Sequence, residues 1–145
     1  MAHTSQAKGT AHWVEAVAVG LLMLALTGLL APLVPPAQSP DEMAHMGRAH
    51  LISHGEWLLE TPSEQDSGGW MNPRLGEYLS LFVPLIQDAK TRLSDSQKDR
   101  MRSIEWGDDP RVFTSVAGTG YYLPVLYAPH ALGFAIGKAL DWHVH

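Results

Sequence analysis

The sequence contains no cysteine, which excludes disulfide frameworks, thiolate zinc sites and cysteine nucleophiles. Basic residues are few. Ten Lys and Arg stand against fifteen Asp and Glu, a formal net charge of −5, so the basic stripe of a nucleic-acid binder is missing. Charge is also missing from long parts of the chain: 21 of the 25 Asp, Glu, Lys and Arg residues fall between Asp41 and Arg111. The 145 residues suffice for one domain and are too few for two. Two apolar ends flank a charged middle, and that separation points to a membrane protein.

Ala16 to Pro40 carries no formal charge, and the 19 residues Ala16 to Val34 are almost wholly apolar. As a helix they would span about 28 Å, close to the ~30 Å of the hydrocarbon core. A second uncharged run covers the 22 residues Val116 to Gly137 and includes Pro124, Pro129 and His130. Prolines are tolerated in membrane helices whose neighbours satisfy the freed carbonyls, which suits a helix packed in a bundle. The first run exceeds the ~7–15 residues of a signal-peptide core, and Pro35-Pro36-Ala37 makes a poor cleavage site. An uncleaved anchor is expected.

Lys8 and Trp13 precede the first run, Lys138 and Trp142 follow the second, and Tyr121, Tyr122 and Tyr127 lie at the opposite end of the latter. The positive-inside rule and the aromatic belts then place both termini in the cytoplasm, with the chain integral to the inner membrane. The expected fold is mainly α: two transmembrane helices joined by a long external loop with amphipathic helices. Its parts are a tail at 1–12, a first span at 13–35, an external loop at 36–115, a second span at 116–138 and a cytoplasmic end at 139–145. Within the loop, helices are expected at 39–60 and 88–106, the latter burying Leu93, Met101 and Ile104. Thr61 to Pro73 reads as turns, and Tyr78 to Ile86 as an apolar patch interrupted by Pro84. With few large aliphatics, this loop is expected to rest on the membrane surface or on other spans.

The chemically suggestive stretch begins at Ser39. Ser39 and Glu42 have capping-box spacing, Pro40 suits the first helical position, and Asp41 and Glu42 suit the positive end of the helix dipole. Capping thus accounts for all four residues, but not for the polar residues beyond Glu42. At 100° per residue, Asp41, His45 and Arg48 share a stripe about 60° wide over two turns. Such a stripe suits a general base, an orienting imidazole and a phosphate-binding guanidinium; it equally suits a solvated, ion-paired face. His50 and His54 have helical metal spacing without an evident third ligand. His143-Val144-His145 reads as a loose tail and Asp108-Asp109 before Pro110 as a turn. Arg74 and the bases between Lys90 and Arg102 fit a solvated face or lipid headgroups. His130, inside an apolar run, reads either as functional or as a neutral core histidine.

An apolar anchor followed by Pro35-Pro36, Pro40-Asp41-Glu42, His45, Arg48-Ala49, Ile52-Ser53 and Gly55 resembles the start of a family of predicted multi-pass bacterial membrane proteins of unknown function. That family is related to the C-type, polyisoprenoid-sugar-dependent glycosyltransferases. Tyr122-Leu123-Pro124, Tyr127-Ala128-Pro129, Gly133 and Gly137-Lys138 extend the likeness, which runs from about residue 14 to the end. The resemblance implies that Asp41 is the catalytic base or a metal-contacting carboxylate, assisted or capped by Glu42. His45 would orient, and Arg48 would contact a phosphate of the lipid-linked sugar donor. A divalent cation is the one cofactor it leaves room for. The implied partners are membrane lipids, the lipid-linked sugar donor, and further transmembrane helices or subunits. Because two spans cannot enclose such a site, the chain is expected to be the amino-terminal piece of a longer cell-envelope enzyme. The alternative is a small two-span scaffold whose external loop binds a partner.

Overall fold

A computed structural model describes residues 4–88 and 90–144. Met1–His3, Ala89 and His145 lie outside the described residues, and with them the start of the expected tail and the last residue of His143-Val144-His145. The chain divides into two units, Met1–Pro35 and Pro36–His145.

In the first unit, helix α1 (Thr4–Leu30) gives way to a 3-10 turn, Ala31–Leu33. Its segment His12–Leu30 is long and apolar enough to cross a membrane, with a mean hydropathy of 2.0. Leu21, Leu24 and Leu29 are all exposed. A helix apolar on every side has the composition of a membrane span. The helix expected at 13–35 is present, starts earlier and stops at Leu30, and is a candidate membrane span. Pro32 at the head of the next turn offers no amide hydrogen to continue it.

The second unit opens with α2 (Glu42–Ser53), shorter than the helix expected at 39–60. Half of the expected capping box forms: the Glu42 carboxylate accepts the Ser39 amide hydrogen at 3.2 Å, while Asp41 is the N-cap and makes no side-chain cap bond. The far end is a Schellman closure. Gly55 takes φ +85°, its amide donates to the Ile52 carbonyl, and the Glu56 amide donates to that of Leu51. Only a residue without Cβ adopts that φ cheaply, so the helix stops there.

Residues expected to be turns form a strand instead. β1 (Gly68–Met71) pairs antiparallel with β2 (Val112–Ser115), Gly68 opposite Ser115 and Met71 opposite Val112. A Cβ on Gly68 would run into the Thr114 carbonyl; glycine here is a requirement of close strand approach.

Between the strands lie α3 (Pro73–Ser80), α4 (Val83–Gln87) and α5 (Asp95–Ser103). Leu75, Tyr78, Leu79 and Phe82 recur at helical spacing and, with Ala37 and Ile104, form the main core. Leu93 and Met101 pack against it, as the sequence suggested. The helix expected at 88–106 is confined to α5, which Ser94 and Gln97 start with a full capping box. Asn72 caps α3 and donates to the Gly107 carbonyl at 2.8 Å. Arg74 reaches Asp109 at 2.7 Å and Glu77 at 3.1 Å, and both hold its pKa above the ordinary value. Burial pushes the Glu77 carboxyl up, but hydrogen bonds from Arg100 and Arg74 outweigh it and lower it overall. The charged middle thus ties itself together, and Asp109 is an ion-pair partner, not merely a turn residue.

The second uncharged run does not form the single rod expected at 116–138. It passes through two 3-10 turns, Thr119–Tyr121 and Pro124–Tyr127, before α6 (Ala128–Ala139). Pro124 and Pro129 each sit at the head of their element, where a missing amide hydrogen is harmless, so each starts a new element instead of kinking one helix. Twelve residues give α6 a length of about 18 Å. It packs on α2 through Ala49 and Ile52 against Tyr127 and Ala131.

Substituting Gly68→Ala should destabilise the second unit by about 1–3 kcal/mol, because the obstructing atom is backbone. Thermal unfolding in detergent, followed by circular dichroism, checks this; an unchanged midpoint would contradict the strand geometry. A second expectation concerns His50, which is 1% exposed with neither ring nitrogen bonded. Burial, reinforced by His54, Arg111 and Lys138, pushes its pKa from 6.5 down to about 3. Below pH 6.5 the unfolded chain takes up a proton that the folded chain refuses. Stability should therefore fall by about 1.4 kcal/mol per pH unit as the pH drops from 6.5 towards 3. His50→Phe, which sacrifices no hydrogen bond, should flatten that part of the stability profile.

Candidate functional site

A groove of about 810 Å³ lies between α2 and α6, closed at one side by Trp106 and the segment Trp142–Val144. Its polar residues include Glu42, His45 and His130; Met46, Phe134 and Gly133 are among its apolar ones. The tail expected to be loose is docked: Val144 donates its amide hydrogen to the Ile104 carbonyl at 3.1 Å, and His143 faces Glu105 at 3.8 Å.

Of the four residues singled out from the sequence, the groove gathers two. Glu42 and His45 line it; Asp41 stands at the exposed N-cap, and Arg48 is buried in α2, neither among its lining residues. His45 Nδ1 lies 2.7 Å from the Tyr127 hydroxyl, and the two rings stack at 5.7 Å. Tyr122 meets the imidazole edge-on at 5.4 Å. Burial, then the neighbouring Tyr122, raises the Tyr127 pKa, with Arg48 opposing. The phenol therefore keeps its proton at neutral pH and is placed to donate it in a hydrogen bond to the imidazole nitrogen.

Arg48 is 3% exposed. Its Nη2 donates to the Trp57 carbonyl at 2.7 Å, while Nε and Nη1 have no partner. Burial lowers its pKa, and Tyr127 opposes the shift. Among the described residues no carboxylate pairs with this guanidinium, so its burial is not offset by an ion pair.

His50 and His54 do approach, with ring centroids 4.4 Å apart, but His50 stacks on Trp106 and meets Phe134 edge-on. His54 donates through Nδ1 to the His50 carbonyl at 2.9 Å. Among the described residues, no group of three His, Asp or Glu side chains is arranged to hold a metal ion. His50 is thus an aromatic core element between α2 and α6.

Tyr127 and Trp106 are the site residues that the stripe argument could not supply, since helical periodicity relates residues within one helix only. A signal for Tyr127 was nevertheless present. Pro129 fixes the start of α6 immediately after it, presenting its side chain where the helix first meets α2. Tyr127→Phe should cost about 1–3 kcal/mol by stranding the His45 nitrogen, whereas Tyr122→Phe, at a more exposed ring, should be close to neutral. Paired unfolding curves in detergent test that difference.

Neither the curated proteins nor the solved structures include a significant match to this chain. A family model does match, over residues 24–145, from the last turns of α1 through the entire second unit. The chain belongs to the family described as "Predicted membrane protein (DUF2142)".

Proposed function

We propose that this membrane protein holds a lipid-linked sugar phosphate and takes part in transferring its sugar during cell-surface polysaccharide assembly, in the manner of the C-type glycosyltransferases. One observation carries the reading: a buried guanidinium with two open donors, Arg48, lies outside the lining of a largely apolar groove but one helical turn from the hydroxyl–imidazole pair His45–Tyr127 that lines it. An apolar groove suits an isoprenoid tail, the guanidinium a phosphate, and the pair a hydroxyl whose proton must move.

In such a transfer the bond from the sugar's anomeric carbon to the phosphate oxygen breaks and a bond to the acceptor oxygen forms. The acceptor's proton passes to a carboxylate, and the lipid phosphate leaves with its added charge stabilised by Arg48. Asp41 is the acid that the resemblance implies for the proton; Glu42 is the acid that the groove contains, partly engaged in capping. His45 with Tyr127 orients the acceptor hydroxyl. Membrane lipids and further helices or subunits complete the environment, with both termini on the cytoplasmic side.

The chain in lipid nanodiscs, titrated with a polyisoprenyl phosphate and with the matching neutral polyisoprenol, tests the reading. Charge-assisted bonds worth about 1.5–3 kcal/mol predict tighter binding of the phosphate by roughly 10- to 100-fold. Arg48→Gln should abolish that preference. Gly133→Leu, which fills open space in the groove without a clash, should weaken both lipids. Equal affinity for phosphate and alcohol would overturn the reading. Where sugar transfer is assayed, Asp41→Asn should abolish it.

A further inference from the structure

Each tryptophan that lines the groove follows an acid in the sequence: Glu105-Trp106 and Asp141-Trp142. Trp106 and Phe134 meet at 6.0 Å with their planes 79° apart, so an indole and a phenyl ring stand nearly at right angles in the lining. Trp142 closes the same side, 59% exposed, with its amide donating to the Gly137 carbonyl at 2.9 Å. Asp141 allows that turn by taking φ +54°, the left-handed conformation that commonly ends a helix. Gly133 and Gly137, one turn apart on α6, bring no side chain to the groove, and a Cβ on Gly133 would meet open space.

The charges around this aromatic corner favour one sign. Glu42 is the formally charged residue of the lining, which contains no Lys or Arg among the described residues. Glu42 stands in the first turn of α2, where it offsets the positive end of that helix. Trp142 lies just past the last turn of α6, at the negative end of that helix. Lys138, in that last turn, is outside the lining, and so is Arg48, whose Nη2 is turned to the Trp57 carbonyl.

We propose that the corner formed by Trp106, Phe134 and Trp142 binds an organic ammonium group, a positive charge carried on an apolar surface. The faces of aromatic rings are negative, so they attract such a cation and also cover its apolar exterior. An anion would be repelled by the same faces and by Glu42, and a neutral hydrocarbon would gain nothing from the carboxylate. A bare metal ion would lack ligands, since no group of three is assembled among the described residues. The site shares no residue with the Arg48 phosphate contact and does not depend on it.

Choline and dimethylbutanol, its uncharged carbon isostere, have the same shape and differ in charge. The full chain in a nonionic maltoside detergent, which brings no ammonium headgroup, is titrated with each by calorimetry. Choline should bind about ten-fold tighter than the alcohol. Trp142→Leu keeps an apolar side chain at an exposed position but removes the ring, and should bring the two affinities together; Trp142→Phe should restore most of the preference. Glu42→Gln, which retains an acceptor for the Ser39 amide, should narrow the preference several-fold. Circular dichroism confirms that each variant is folded. Equal affinity for the two probes, no binding of either, or a choline preference that survives Trp142→Leu unchanged would overturn the proposal. Neither probe carries a phosphate or an isoprenoid chain, so this failure is distinct from failure of the phosphate titration.

Discussion

The seating of α6 on α2 is the contact on which the other features of the second unit depend. It is a packing of small on medium side chains, Ala49 and Ile52 against Tyr127 and Ala131, and the two alanines let the helix backbones come close. That closeness brings the Tyr127 hydroxyl to His45 at 2.7 Å and stacks Phe134 and Trp106 around His50. Residues along the same seam line the groove. A larger residue at Ala49 or Ala131 would spread the helices and loosen hydrogen bond, aromatic cluster and groove together, because all three lie along this seam.

Electrostatics divides the unit differently. On the side of α3 and α5, Arg74, Glu77, Arg100 and Asp109 satisfy one another at partly exposed positions, where water shares the cost and each pair adds little stability. On the side of α2, Arg48 and His50 are buried with open nitrogens. For an imidazole the remedy is to stay neutral, which is why its pKa falls to about 3. A guanidinium has no such exit at any physiological pH. Among the described residues, the unit therefore holds a buried guanidinium with two open donors one turn from His45.

Local rules made much of this visible in the sequence. Charge segregation located α1, and spacing located the buried positions Leu93, Met101 and Ile104. The Ser39–Glu42 box was half correct. The end of α2 was legible too, in Gly55, although the helix was carried past it to residue 60. The elements that stayed hidden depend on partners distant in sequence. Gly68-Gly69 reads as a turn until Val112–Ser115 pairs with it, and nothing in Thr61–Pro73 announces a partner some forty residues away. For the site, His45 and Glu42 came from the helix itself, whereas Tyr127, 82 residues away from His45, came from tertiary packing that single-helix periodicity does not encode. Arg48 had the right helix and the right stripe; its burial was set by the surrounding elements.

The second apolar run shows why hydropathy and geometry part company. Absence of charge over Val112–Gly137 is a statement about environment, and a continuous rod is only one structure consistent with it. Pro124 and Pro129 interrupt the amide ladder, so the chain breaks into turns and a 12-residue helix. The composition still makes its demand: both sides of α6 are apolar, and α2 answers for only one. The same uncharged run, broken at its two prolines, supplies Tyr127, His130 and Phe134 to one wall of the groove.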